Sequence, residues 1–279
     1  MSKGFLIFAD NTNKVNYLEQ AYVLALSIKN TQTVNNVTVV TNEEVPDKYK
    51  QVFDNVILPF KRNNNLETPF KVEDRANLYH ITPYEETMVL DSDMLFLEDI
   101  ENWWNYCSNY NLRFCSRITN YKKEIVTDTV HRKTFVENNL PSPYVALHYY
   151  KRSDEALEFH KVLNFVVNNW ELCLTKFAPK QYQSWISMDL AVAVTLELMV
   201  DSERIIDKNN PLEFVHMKTH LQGWDNVPEK WQNTVPYVFN NNGDLYVSNI
   251  KQGKVFHYIE KDFVKSNMVK KLENLVYGS

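Results

Sequence analysis

The sequence predicts an α/β fold built on a mixed, mostly parallel central sheet. Short apolar or β-branched runs alternate with stretches of helical periodicity through the first third of the chain, the pattern that βαβ units leave. One of those runs, Thr87–Leu90, leads directly into an acid pair, Asp91 and Asp93. Open α/β sheets bind ligands there, beyond the carboxyl ends of their strands. The 279 residues suffice for one large domain, and no repeat, low-complexity tract or linker divides them.

The elements follow in order. Phe5–Ala9 reads as a buried strand, ended by the polar run Asp10 to Asn13. Leu18, Ala21, Tyr22, Ala25 and Ile28 recur at helical spacing over Tyr17–Ile28. Val37–Val40 is a β-branched strand, and Val52–Leu58 holds another, stopped by Pro59. Val72–His80 reads as a helix carrying Arg75, and the strand Thr87–Leu90 follows it. Trp103 and Trp104, with Tyr106 and Tyr110, belong to a packed helix. Leu112–Ser116 and Val145–Tyr150 are further strands, the second entered through a Pro-rich turn. Glu155–Trp170 and Met188–Met199 are helices; Ser187 caps the latter, with Asp189 in its first turn. Late in the chain two short strands each end in histidine, Leu212–Val215 before His216 and Lys254–Phe256 before His257. Between them Asn240 to Asp244 forms a hairpin turn.

Composition narrows the function. The chain is 44% hydrophobic and 23% charged, with a net charge of −5, which excludes a disordered tail or a disulfide scaffold. That mild acidity weighs against a protein built to coat nucleic acid. Cys107, Cys115 and Cys173 match no zinc or redox spacing and read as reduced thiols of a cytosol-like compartment. The opening apolar run is too short for a signal peptide, and nothing approaches the ~20 apolar residues that span a bilayer. A cytoplasmic protein is therefore expected.

Asp91 and Asp93 carry the chemistry. One residue apart in extended chain, they point to the same side. Two such acids repel unless a cation lies between them, and oxygen ligands suit Mg2+ or Mn2+. A cation held there can stabilise a departing diphosphate. The bland alternative is a turn with solvated acids.

At Val89-Leu90-Asp91-Ser92-Asp93-Met94 the sequence resembles the GT-A fold glycosyltransferases, in particular family eight, which includes glycogenin-like enzymes. The resemblance implies a Rossmann-like nucleotide-sugar-binding fold, with residues 1–100 as the nucleotide-binding half and residues 101–279 as the acceptor-binding half. Asp91 and Ser92 would then contact the donor, and Asp91 and Asp93 the metal. A basic residue on the preceding helix reaches the nucleotide in that family; Arg75 fits, and Lys71 matches less well. Phe8, Ala9, Asp10 and Asn11 occupy the place of the loop that holds the base. Asp189 corresponds to the acid that faces the donor sugar and is the catalytic candidate.

The family takes its third metal ligand from a histidine after a C-terminal strand, followed by glycine and Lys-Pro-Trp. This chain departs from that pattern with two partial versions, His216 with Lys218 and His257 with Lys261. His257 is favoured as the metal ligand, with His216 and Lys218 on the phosphate or acceptor side. The implied activity moves a sugar from a nucleotide diphosphate-sugar, a UDP-sugar by resemblance, to a hydroxyl, with retention of configuration. The acceptor stays open among a glycan, a protein hydroxyl, a lipid-linked sugar and a modified DNA base. The Asn-rich, signal-free chain has the style of phage-encoded glycosyltransferases, which would place it in a host cytoplasm.

Three other readings compete with this one. A haloacid dehalogenase-like phosphatase also uses an apolar strand and Asp-x-Asp, but on its first strand and followed by Thr or Val where Leu95 stands. A sugar nucleotidyltransferase needs a glycine-rich first loop, and the whole chain has five glycines. A non-catalytic carbohydrate- or nucleotide-binding module would use the six tryptophans and sixteen tyrosines as stacking surfaces.

Overall fold

The computed structural model describes residues 2–58, 72–127, 132–182, 186–199, 202–207, 209–224 and 229–278. Its strands are β1 (Lys3–Ala9), β2 (Val37–Thr41), β3 (Asn55–Ile57), β4 (Glu86–Asp91), β5 (Met94–Phe96), β6 (Leu112–Cys115), β7 (Arg117–Thr119), β8 (Tyr144–Lys151), β9 (Glu213–His216), β10 (Tyr237–Phe239), β11 (Leu245–Val247), β12 (Ile250–Lys251) and β13 (Val255–His257).

Six of these strands form the central sheet, in the order β3-β2-β1-β4-β8-β6. The β3-β2-β1-β4 block is parallel, whereas β8 runs antiparallel to both β4 and β6. A second sheet, β5-β13-β9-β7, takes the chain immediately after β4, and β10-β11-β12 form a small meander. The strand order reverses between β1 and β4, so a crevice opens at their carboxyl ends, beside the register pair Phe8 and Asp91.

Both faces of the central sheet are covered, which is why β1 is an unbroken apolar run. Phe5, Ile7 and Ala9 point into a core shared with the helix Tyr17–Thr31 and the second sheet. Leu6 and Phe8 point the other way, toward the helices Asp154–Asn168 and Met188–Leu198. Side-chain caps start three of the long helices: the side-chain oxygens of Asn16, Ser153 and Ser187 accept backbone N–H bonds from Glu19, Ala156 and Leu190. All three cysteines are buried free thiols, and burial pushes Cys107 and Cys115 up to about 12.

Several elements differ from their sequence-based bounds. The helix expected over Val72–His80 is two short helices, Val72–Ala76 and Leu78–Ile81, broken at Asn77, which competes for backbone hydrogen bonds. The strand expected over Val52–Leu58 is confined to Asn55–Ile57; Pro59 lies outside the described residues. The helix expected to run to Trp170 stops at Asn168, and a separate helix, Trp170–Phe177, follows.

Two histidines are buried between the sheet and its helices. Burial pushes His148 down to about 4 and His160 down to about 3, although each gives an Nδ1 hydrogen bond to a backbone carbonyl. In the unfolded chain both titrate near 6.5. As pH falls from about 6.5 toward 4, the unfolded chain therefore takes up protons that the folded chain refuses, and stability declines. The slope near pH 5 reaches roughly 2.7 kcal/mol per pH unit for two such groups. We expect denaturant midpoints to drop between pH 7 and pH 5, and His160→Phe to remove about half of that pH slope; an unchanged slope in the variant would contradict the assignment.

Candidate functional site

Chain direction sets the geometry of the acid pair. Asp91 is the last residue of β4 in the central sheet, and Met94 opens β5 in the second sheet. Asp91, Ser92 and Asp93 are thus the joint between two sheets. Asp91 stays partly exposed, with Arg75 Nη1 at 2.6 Å from its Oδ1. Arg75 also lies over the Phe8 ring, 5.0 Å from its centroid. Asp93 is buried, its side chain only 6% exposed.

Strand pairing then brings the histidine. β13 runs antiparallel to β5 with His257 opposite Met94, and the Tyr258 N–H donates to the Asp93 carbonyl at 3.2 Å. This register puts His257 Nε2 3.1 Å from Asp93 Oδ2. Candidate ligand atoms of Asp91, Asp93 and His257 all lie within 4.8 Å of one another. His216 sits beside His257 on the parallel neighbour β9, ring centroids 4.9 Å apart, but is not part of that group of three.

Beyond His257 the chain turns sharply. Ile259 adopts φ 65°, and the Glu260 N–H closes a three-residue turn onto the Tyr258 carbonyl at 2.6 Å. A β-branched residue in that region is strained by about 1–3 kcal/mol. The reversal delivers Lys261, whose ammonium donates to Asp93 Oδ2 and lies 5.4 Å from the Tyr17 ring centroid. Burial alone would raise the Asp93 carboxyl; the charges of His257 and Lys261 outweigh it and hold Asp93 below the usual carboxylate range.

A second cluster adjoins the first. Asp189 uses both carboxylate oxygens: Oδ1 accepts the Val145 N–H at 2.9 Å, and Oδ2 pairs with Arg132 Nη1 at 2.8 Å. Arg132 also donates to the Pro143 carbonyl at 3.0 Å and stacks 3.7 Å over the Tyr144 ring. Lys218 links the clusters: burial pushes its ammonium below the ordinary lysine value, against the opposing charges of Asp189 and Asp93. Gln222 fixes that segment by donating to the His216 and Lys218 carbonyls at 2.8 and 3.0 Å.

The remaining candidates are placed as follows. Phe8 and Ala9 end β1, Asp10 is buried just beyond it, and Ser92 is buried between the two acids. Asn11 accepts the Leu18 N–H at 2.9 Å, tying the loop to the first long helix. Lys71 lies outside the described residues. Sequence reasoning missed Arg132, whose partner Asp189 is 57 positions away, with no local motif around either residue to announce the pair.

Two carboxylates and an imidazole form an oxygen-rich, hard donor set that fits Mg2+ or Mn2+. Among the described residues, no helix is long and apolar enough to cross a membrane.

No family model and no curated protein matches the sequence. Solved structures do match by shape. The apo form of mouse xyloside xylosyltransferase 1 superposes with a TM-score of 0.52 at 11% identity, over 95% of this chain and 100% of that one. The galactosyltransferase LgtC, in complex with donor and acceptor sugar analogues, gives 0.52 at 13% identity over 99% and 95%. The fold is that of the GT-A glycosyltransferases. Two structures of the glycosyltransferase GlyE from Streptococcus pneumoniae TIGR4 are weaker matches, with TM-scores of 0.40 and 0.46 at 10% and 9% identity. They cover 72% and 100% of this chain, which spans 44% and 63% of theirs.

The cluster geometry yields a direct test. Titrating Mn2+ into the protein should raise its melting temperature. We expect His257→Ala to lose most of that rise and His216→Ala to keep it; the reverse order, read by thermal denaturation with and without Mn2+, would exclude the assignment.

Proposed function

We propose that the protein transfers a sugar from a nucleotide diphosphate-sugar to a hydroxyl acceptor, using a divalent cation held by Asp91, Asp93 and His257. The observation that carries this reading is the convergence of those three side chains at the carboxyl ends of β1 and β4. A uridine nucleotide and retention of configuration are what the family resemblance adds. The GT-A fold, shared with enzymes whose names describe sugar transfer, supports the same reading.

When bound, the cation would neutralise negative charge that builds on the departing diphosphate. The chain's own groups share that task. Arg75 and Lys261 are paired with the two acids, so each is within reach of an anion placed beside them. Lys218, whose charge is felt by both Asp93 and Asp189, adds a third positive charge. These preorganised charges act in a partly buried site, where they are stronger than in water. Asp189, with both oxygens engaged, fixes Arg132 and the start of β8, and its carboxylate charge would favour the sugar as its anomeric carbon becomes positive. Phe8, Ala9, Asp10 and Asn11 border the place of the base.

Thermal denaturation against a panel of UDP- and GDP-sugars, with and without Mn2+, tests the reading. We expect metal-dependent stabilisation by one nucleotide class and slow metal-dependent hydrolysis of the bound donor. Asp93→Ala should lower that hydrolysis by at least 100-fold, and Lys261→Ala by roughly 10–100-fold, comparable to losing one charge-stabilising donor. A wild-type response matched by Asp93→Ala would refute the metal role.

A further inference from the structure

Gln20 is a buried carboxamide on the helix Tyr17–Thr31, only 4% exposed. Its neighbours on that helix, Leu18, Ala21, Tyr22 and Leu24, are buried apolar residues. A polar group in such surroundings is costly unless it is hydrogen-bonded. Gln20 is bonded at both ends, and both bonds reach one distant stretch of chain. Nε2 donates to the Lys261 carbonyl at 3.3 Å, and Oε1 accepts the Tyr258 hydroxyl. A carbonyl can only accept, so the amide has one orientation that satisfies both partners.

These two contacts bracket the strained turn at Ile259. Tyr258, on its near side, is also anchored in other ways. Its N–H donates to the Asp93 carbonyl at 3.2 Å, and its own carbonyl accepts the Trp231 indole N–H at 2.8 Å. Lys261, on the far side, differs: among the described residues, no other hydrogen bond reaches its backbone. The first turn of the same helix also holds the loop after β1, because the Leu18 N–H donates to Asn11 Oδ1 at 2.9 Å. One turn of helix thus carries the loop assigned to the base and the root of the lysine assigned to the diphosphate.

We propose that Gln20 is a positioning residue for Lys261, tying the lysine backbone to this helix so that the ammonium is presented to a bound diphosphate from a fixed root. The inference rests on the sugar-transfer reading above. Gln20 pairs with neither the acids nor His257 and acts through Lys261. It leaves the lysine stem free, and sets where the ammonium can reach. The metal group does not depend on it, because the register of β13 with β5 places His257 beside Asp93.

A double-mutant cycle tests this. Gln20→Met keeps the side-chain length and removes both hydrogen bonds. It is compared with wild type, Lys261→Ala and the double variant, using whichever UDP- or GDP-sugar the wild type hydrolyses fastest with Mn2+. Gln20→Met should lower kcat by roughly 10-fold, the scale of a misplaced charge-stabilising group. Donor KM and the Mn2+-induced rise in melting temperature should both stay within about 2-fold of wild type, since the metal group is intact. In the double variant the rate should stay within about 2-fold of Lys261→Ala alone, because the glutamine has nothing left to position. A residue that only stabilised the fold would give losses that multiply. Multiplied losses, an unchanged kcat in Gln20→Met, or loss of its Mn2+ response would each overturn the inference while leaving sugar transfer intact. If wild type hydrolyses no nucleotide-sugar with any divalent ion, the transfer reading falls and this inference falls with it. Where Gln20→Met does not fold, Tyr258→Phe removes the hydroxyl that Gln20 accepts, and the same cycle with Lys261→Ala decides the question.

Discussion

The site is organised around a buried negative charge. The Asp93 side chain is only 6% exposed, and a carboxylate so placed is costly unless positive charge and hydrogen bonds surround it. Two partners do this, and each depends on a different feature of the chain. His257 arrives through the antiparallel register of β13 with β5. Lys261 arrives through the strained turn at Ile259. His257, as enclosed as Asp93 itself, makes the buried half of this pairing, and Lys261 adds its charge from a partly exposed stem at the end of the turn.

This explains why the second sheet begins where it does. A chain leaving β4 could end in a solvated loop, and the acids would then be ordinary turn residues. Here β5 follows Asp93 at once and pairs with β13, so the last strand of the chain closes over the joint. Asp91, in contrast, belongs to the central sheet and keeps one side open to the crevice beside Phe8 and Arg75. One acid is enclosed by the C-terminal part of the chain and the other is presented by the N-terminal part. Their juxtaposition across two sheets gives an otherwise common Asp-x-Asp spacing its specific geometry.

The parts legible in the sequence were those fixed locally. β1 and β4 show as apolar runs because both faces of the sheet are covered, and Ser187 shows as a cap because capping uses residues adjacent in the chain. The acid pair was legible for the same reason. What depended on pairing between distant strands was not. His216 and His257 each end a short strand, and those strands are parallel neighbours in register; the family resemblance favoured His257, but the local pattern held no physical ground for that choice. Only the pairing of β13 with β5, more than 150 residues earlier in the chain, brings His257 to Asp93. Arg132 was invisible for a similar reason, since its meaning comes from Asp189 and from the Tyr144 ring beneath it.

Asp189 and Asp93 are held by different cations, and the difference matches the role proposed for each position. Asp189 is held by arginine, whose planar fork reaches Asp189 and the Pro143 carbonyl at once while stacking on Tyr144. Such an arrangement is rigid, because moving it breaks several contacts together. Asp93 is held by lysine, a point charge on a flexible stem that lies 31% exposed at the crevice edge. Its ammonium can leave the carboxylate by side-chain rotation alone. An exchangeable cation suits an acid proposed to ligate a metal, whereas a clamped one suits an acid that orients its neighbours. The choice of arginine at one carboxylate and lysine at the other thus divides the crevice into a fixed wall and a responsive one.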